Sequence, residues 1–204
     1  MEDRQPAPEE KAKDTAPEEK IKDASPEKKE KDPKGNAYDW IESLVTAIVA
    51  CIIIFLFLFR VVNVQGTSMV PTLRESDKIV ISRLARNYKY GDIVVLTKIA
   101  FDDESIVKRV IATEGQTIDI DFDEGIVTVD GVVLQEPYIA EKTRRQMDFH
   151  GPVTVPEGCI FCMGDNRNAS TDSRRSTIGM IDTRCVLGRV VLRLWPLDKI
   201  GTVK

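Results

Sequence analysis

From Ser43 to Phe59 the chain carries no charged side chain, and from Cys51 to Phe59 every side chain is apolar. A run of this length sits at the lower end of what crosses a bilayer as a helix. Trp40 and Ile41 before it, and Val61 and Val62 after it, lengthen the run. Arg60 does not interrupt it, because an arginine near the end of a span can reach the interface. A core helix of a globular domain would show a polar stripe, and this run shows none. The region before it is long and acidic, and Val62-Asn63-Val64-Gln65 offers no small-x-small site, which argues against a cleaved leader. The pattern predicts one transmembrane helix over residues 40–61.

Beyond the span the pattern becomes strand-like. Lys78–Ser82, Asp92–Leu96, Ile106–Ile111, Thr117–Phe122, Gly125–Val129, Cys159–Met163 and Arg189–Leu194 are short and apolar, most of them rich in Val and Ile, as strands are. Asp123-Glu124-Gly125 and Asp130-Gly131 read as tight turns. No amphipathic stretch of a dozen residues is present, and the strands lie too close in sequence for helical crossovers. The expected fold class is mainly β.

Before the span, Ala7-Pro8-Glu9-Glu10-Lys11 recurs as Ala16-Pro17-Glu18-Glu19-Lys20 and more loosely from Ser25-Pro26. A proline in each unit and a lack of apolar residues predict a solvated, disordered arm over 1–39. The whole chain has 29 Lys and Arg against 33 Asp and Glu, which gives no support to nucleic-acid binding. Nine basic residues precede the span, and only Arg60, Arg74 and Lys78 follow closely. By the positive-inside rule the arm is cytoplasmic and the β-rich part extracytoplasmic.

Cys51 lies within the span. Cys159 and Cys162 lie three apart on a predicted strand, so they point to opposite faces nearly 10 Å apart and cannot pair without a break in it. A pairing of Cys185 with either stays open. With a single histidine, His150, and no second Cys-x-x-Cys, neither a metal nor a redox centre is expected.

Two residues stand out chemically. Ser68 lies in a turn between Gly66 and Pro71, where its own peptide N–H can face a developing oxyanion. Lys108 has Ile106 and Val110 as same-face neighbours, and desolvation lowers a lysine pKa toward the range of a general base. No Gly-x-Ser-x-Gly elbow is present, and a Ser-Lys pair solves the same problem of activating a hydroxyl. A third cluster, Gly164-Asp165-Asn166-Arg167-Asn168-Ala169-Ser170-Thr171-Asp172-Ser173-Arg174, is a polar loop directly after an apolar strand.

Together these segments resemble type I signal peptidases, membrane-bound serine proteases that remove signal peptides. Ser68-Met69-x-Pro71-Thr72-Leu73 is similar to the family's nucleophile box, and Lys108-Arg109-Val110 to its general-base box. Gly91-Asp92-Ile93-Val94-Val95 is similar to a structural strand, and Gly164-Asp165-Asn166-Arg167 with Ser170-x-Asp172-Ser173-Arg174 to the last box. Gly188-Arg189, Trp195-Pro196 and Lys199-Ile200-Gly201 are similar to the C-terminal segment. The resemblance covers residues 40–204, with every box in order.

It implies a β-rich catalytic core in two parts, 62–114 and 155–204, with a small β cap at 115–154. Ser68 would be the nucleophile and Lys108 its base. Ser170 would orient the lysine, and Asp172 and Arg174 would hold the loop. Met69, Leu73 and Val107 would line shallow pockets for small side chains, and no cofactor would be needed. Partners would be signal peptides of exported preproteins and the lipid bilayer, near the secretion translocon. Some members carry a serine at the position of Gly66, so here the oxyanion site would rest on backbone, the Ser68 N–H. A self-cleaving repressor-type Ser-Lys peptidase fits less well, because 1–39 is too polar to fold as a DNA-binding domain. A catalytically silent binding protein on the same scaffold would have had no need to keep Ser68 and Lys108.

Overall fold

The computed structural model describes residues 33–84, 86–97 and 105–203, with side chains from residue 37. Of the arm expected over 1–39, residues 1–32 lie outside the described residues.

Helix α1 spans Pro33–Leu58. Pro33 stands at its first position, where the fixed proline φ suits a helix and its missing N–H is not needed. The stretch Ala37–Leu58 is long and apolar enough to cross a membrane, and its most apolar window has no buried residue. The helix thus begins before the predicted span and stops short of its end. Phe59–Asn63 forms strand β1 instead. Val61 and Val62 are β-branched and favour extended backbone, and the whole segment pairs with Lys78–Ser82 (β2).

The β-rich part holds Ile93–Leu96 (β3), Ile106–Thr113 (β4), Thr117–Asp121 (β5), Ile126–Val129 (β6) and Val132–Val133 (β7). It continues with Val153–Thr154 (β8), Cys159–Met163 (β9), Ile181–Asp182 (β10) and Val186–Trp195 (β11). Seven strands make one sheet in the order β1-β2-β11-β3-β4-β9-β10, and four make a second in the order β7-β6-β5-β8. The turn between β6 and β7 is Asp130-Gly131, with φ of 52° and 76°. Positive φ at both central residues is what a two-residue hairpin with the right twist requires.

Strand β3 explains why its sequence reads as an unbroken apolar run. Ile93 and Val95 enter one core with Val64, Met69, Leu73, Ile79, Ile81 and Val107. Val94 and Leu96 enter another with Val110, Ile160, Cys162 and Ile181. Both faces are covered, so alternation is not needed. A third core joins the two sheets through Ile111, Phe161 and Met163 on one side and Ile118, Ile120, Val127 and Phe149 on the other.

The register also sets a row across the large sheet. Phe59 pairs with Ser82, Ser82 with Arg189, Arg189 with Val94, and Val94 with Lys108. Lys108 therefore sits on the same row as the first residue after the helix. Four interstrand steps separate them, about 19 Å at about 4.8 Å each.

Candidate active site

The turn after β1 carries Ser68, and the two faces of β4 supply what surrounds it. Lys108 Nζ lies 2.8 Å from Ser68 Oγ and donates a second hydrogen bond to the Val107 carbonyl at 3.0 Å. The lysine is 3% exposed. Burial lowers its pKa to about 8, with Asp172, Cys162 and Asp165 pulling it up and Arg174 pushing it down. Near pH 8 half of the lysines are neutral, and a neutral amine at hydrogen-bond distance can take the serine proton.

Around this pair the loop at 164–174 closes a polar network. Asp172 accepts from the Gly164 N–H at 3.0 Å and from Arg174 through both carboxylate oxygens, at 2.8 and 2.9 Å. Burial pushes the Asp172 carboxyl up, but the bonds to Arg174 and Gly164 outweigh it and hold its pKa below the usual value. Arg174 also donates to the Arg167 and Arg145 carbonyls. Both side chains are fully buried, and each needs the other, because an unpaired buried charge is costly.

Ser170 is buried; its hydroxyl makes no hydrogen bond of good geometry among the described residues, but it lies close enough to Asp172 to help lower that carboxyl's pKa. The structure does not join it to Lys108, whose bonds go to Ser68 and Val107. Ser170 instead crowds Gly164: a Cβ on that glycine would meet the Ser170 side chain and would lie 2.5 Å from the Ser68 carbonyl oxygen.

Met69, Leu73 and Val107 are buried together in one apolar core. They form its part beside the turn that carries Ser68, and they expose little surface of their own.

Residues not singled out from sequence hold the turn that carries Ser68 on its other side. Arg109 grips Asp165 with two parallel bonds of 2.8 and 2.7 Å and lies 3.9 Å from the Tyr138 ring centroid. Asp165 also accepts from the Thr72 hydroxyl, four residues after Ser68. Arg167 pairs with Glu136 and Thr143, and Asn168 accepts from the backbone N–H groups of Arg144 and Arg145. The loop thereby fixes both the site and residues 136–145. The sequence signal was present in Lys108-Arg109: on a strand, adjacent side chains face opposite ways, so a second buried cation called for an acid across the sheet.

A family model described as "Signal peptidase, peptidase S26" matches residues 37–195. Signal peptidase I of Bacillus licheniformis is 34% identical over 82% of this chain and 93% of its own length. Signal peptidase I P of Bacillus subtilis subsp. natto is 34% identical over 84% of this chain and 96% of its own. The crystal structure of a signal peptidase I from Enterococcus faecalis V583 aligns at TM-score 0.42 and 27% identity, over 50% of this chain and 96% of that one.

Proposed function

The chain belongs to the signal peptidase family, peptidase S26, and from that premise we propose that Ser68 and Lys108 form the dyad that cuts preproteins after small-x-small motifs. As a member of this family it is a serine endopeptidase acting on the signal peptides of preproteins. The observation that carries the dyad is the 2.8 Å contact between a buried, low-pKa lysine and the serine hydroxyl.

In the forward step neutral Lys108 Nζ takes the Ser68 proton while Oγ bonds to the scissile carbonyl carbon. The carbonyl π pair moves onto oxygen, where the Ser68 N–H faces it. As the tetrahedral species collapses, the C–N bond breaks and the leaving amine takes the proton from Lys108. Water then attacks the acyl carbon and loses a proton to the lysine; the second tetrahedral species collapses by breaking the C–Oγ bond, and Lys108 returns that proton to Oγ, which regenerates Ser68. Acylation removes the Ser68 hydroxyl from Lys108, and the buried Ser170 hydroxyl is the group assigned to orient the lysine then. Asp172 and Arg174 hold the loop that carries Ser170. Met69, Leu73 and Val107 make an apolar floor suited to side chains as small as alanine.

The anchor reading rests on the apolar helix Ala37–Leu58. Exposed Val61, Val191, Trp195, Leu197 and Ile200 offer the lipid interface further apolar contact. The excess of basic residues before the span supports an arm in the cytoplasm and a β-rich part outside, the side on which exported preproteins would emerge. Protease added to intact cells is expected to digest the β-rich part; full protection would reverse the orientation.

The specificity is tested with a preprotein bearing Ala-x-Ala before its cut, incubated with the full-length enzyme in detergent. Mass spectrometry is expected to locate cleavage directly after the second alanine. Replacing that alanine by leucine should lower the rate by about a hundredfold or more, since the buried floor has no room to yield. Equal cleavage of the leucine substrate would contradict the reading.

A further inference from the structure

Asn166 touches the nucleophile turn twice. Its backbone N–H donates to the Ser68 carbonyl at 2.9 Å, and its side-chain Nδ2 donates to the Thr67 carbonyl at 3.2 Å. A carbonyl can only accept, so the nitrogen end of the amide must face it. The Thr67 oxygen takes a second bond from the Val70 N–H at 3.2 Å, which fills both of its lone-pair directions.

The consequence follows from peptide geometry. The Thr67 carbonyl and the Ser68 N–H belong to one peptide unit. It is not among the cis bonds of the structure, so the two groups point in opposite directions from one plane. Whatever fixes the carbonyl aims the N–H. A donor on the carbonyl oxygen also polarises the unit and strengthens the N–H as a donor. The Ser68 N–H itself has no acceptor among the described residues, as a group reserved for a transient oxyanion should not. The second bond, from the Asn166 backbone to the Ser68 carbonyl, fixes the next peptide plane in the same way.

We propose that Asn166 is the positioning residue of the oxyanion site: its side-chain amide orients and polarises the peptide whose N–H receives the charge formed on the scissile carbonyl. This rests on the reading of Ser68 as nucleophile. Gly66 brings no hydroxyl to that site, so the charge depends on backbone donors, and a backbone donor is only as good as its aim. Asn166 touches no substrate atom and works through Thr67.

The test compares Asn166→Ala and Asn166→Asp with the full-length wild type, on a preprotein, at a pH above the acid limb of activity. Asn166→Asp keeps the shape and the backbone bond but sets an acceptor against an acceptor. Both are expected to lower kcat by about tenfold to a hundredfold with KM changed less than about twofold, because misaim costs only the transition state. An Ala-x-Ala peptide aldehyde adds Ser68 Oγ to its carbonyl carbon and places an oxyanion in the same site. Its inhibition constant should weaken by the same factor as kcat/KM, while a non-cleavable substrate-like peptide binds as before.

A role in folding alone would lower the melting temperature and leave the aldehyde and the plain peptide changed alike. That result, or an unchanged kcat in either variant, would overturn the proposal. Should Asn166→Ala fail to fold, Asn166→Asp decides alone. A Ser68→Ala enzyme that still cleaves would instead sink the underlying nucleophile reading, so the two failures are distinguishable.

Discussion

Replacing Lys108 with arginine is expected to stop preprotein cleavage as completely as replacing Ser68 with alanine, each by at least about ten-thousandfold in kcat. The arginine variant is the informative one. It keeps a positive charge on a side chain long enough to reach Ser68, so a purely electrostatic or structural role for Lys108 would survive it. A general-base role would not, because a guanidinium does not deprotonate in proteins. Lys108→Met removes charge and base together and should be equally inactive. Cleavage of an Ala-x-Ala preprotein followed on a gel over a long incubation resolves such losses. Processing by Lys108→Arg within tenfold of wild type would end the dyad assignment.

The second large effect is expected at a residue with no side chain. Gly164→Ala should lower activity by about a hundredfold or more, the scale of a catalytic group displaced by about 1 Å. An added Cβ would lie 2.5 Å from the Ser68 carbonyl oxygen and 2.6 Å from the Ser170 Cβ. Real contacts of that kind are not made, so either the turn that carries Ser68 or the Ser170 segment must move. The turn is bonded to Asn166, and Ser170 is buried beside Asp172, which is itself paired with Arg174, so neither yields freely. Steady-state kinetics with a thermal melt separates the two consequences: kcat falls with only modest destabilisation if the turn shifts. Wild-type kinetics for Gly164→Ala would show that this close approach has no bearing on catalysis.

How much of this was legible in the sequence depends on whether the reason was local. Lys78–Ser82 and Cys159–Met163 were bounded as they stand, since β-branched or apolar runs ended by polar residues or glycine fix a strand locally. The end of the span was not: Phe59, Val61 and Val62 continue the apolar pattern of the helix, and pairing with β2 is what makes Phe59–Asn63 a strand. Ser68 and Lys108 stand 40 positions apart, and the order of motifs, not any one of them, brought them together. Ser170 was expected to orient the lysine, and among the described residues its hydroxyl makes no hydrogen bond to Lys108. That outcome turns on side-chain angles no sequence reveals. Arg109–Asp165 and Arg167–Glu136 were missed because buried ion pairs join residues 56 and 31 positions apart. Asn166 stands out in the sequence only as part of a motif, and its two bonds to the turn that carries Ser68 appear only once the loop is folded over that turn.

The central claim is that burial makes Lys108 a base within reach of physiological pH, and the pH dependence of kcat/KM tests it most directly. The depressed pKa belongs to the folded enzyme, so the active neutral fraction is small below it and saturates above it. With a full-length enzyme and an Ala-x-Ala preprotein, the rate is expected to rise tenfold per pH unit on the acid side and to level off through a midpoint of about 8. A rate that stays flat from pH 6 to pH 9, or that rises only toward the ordinary lysine pKa near 10.5, would contradict it.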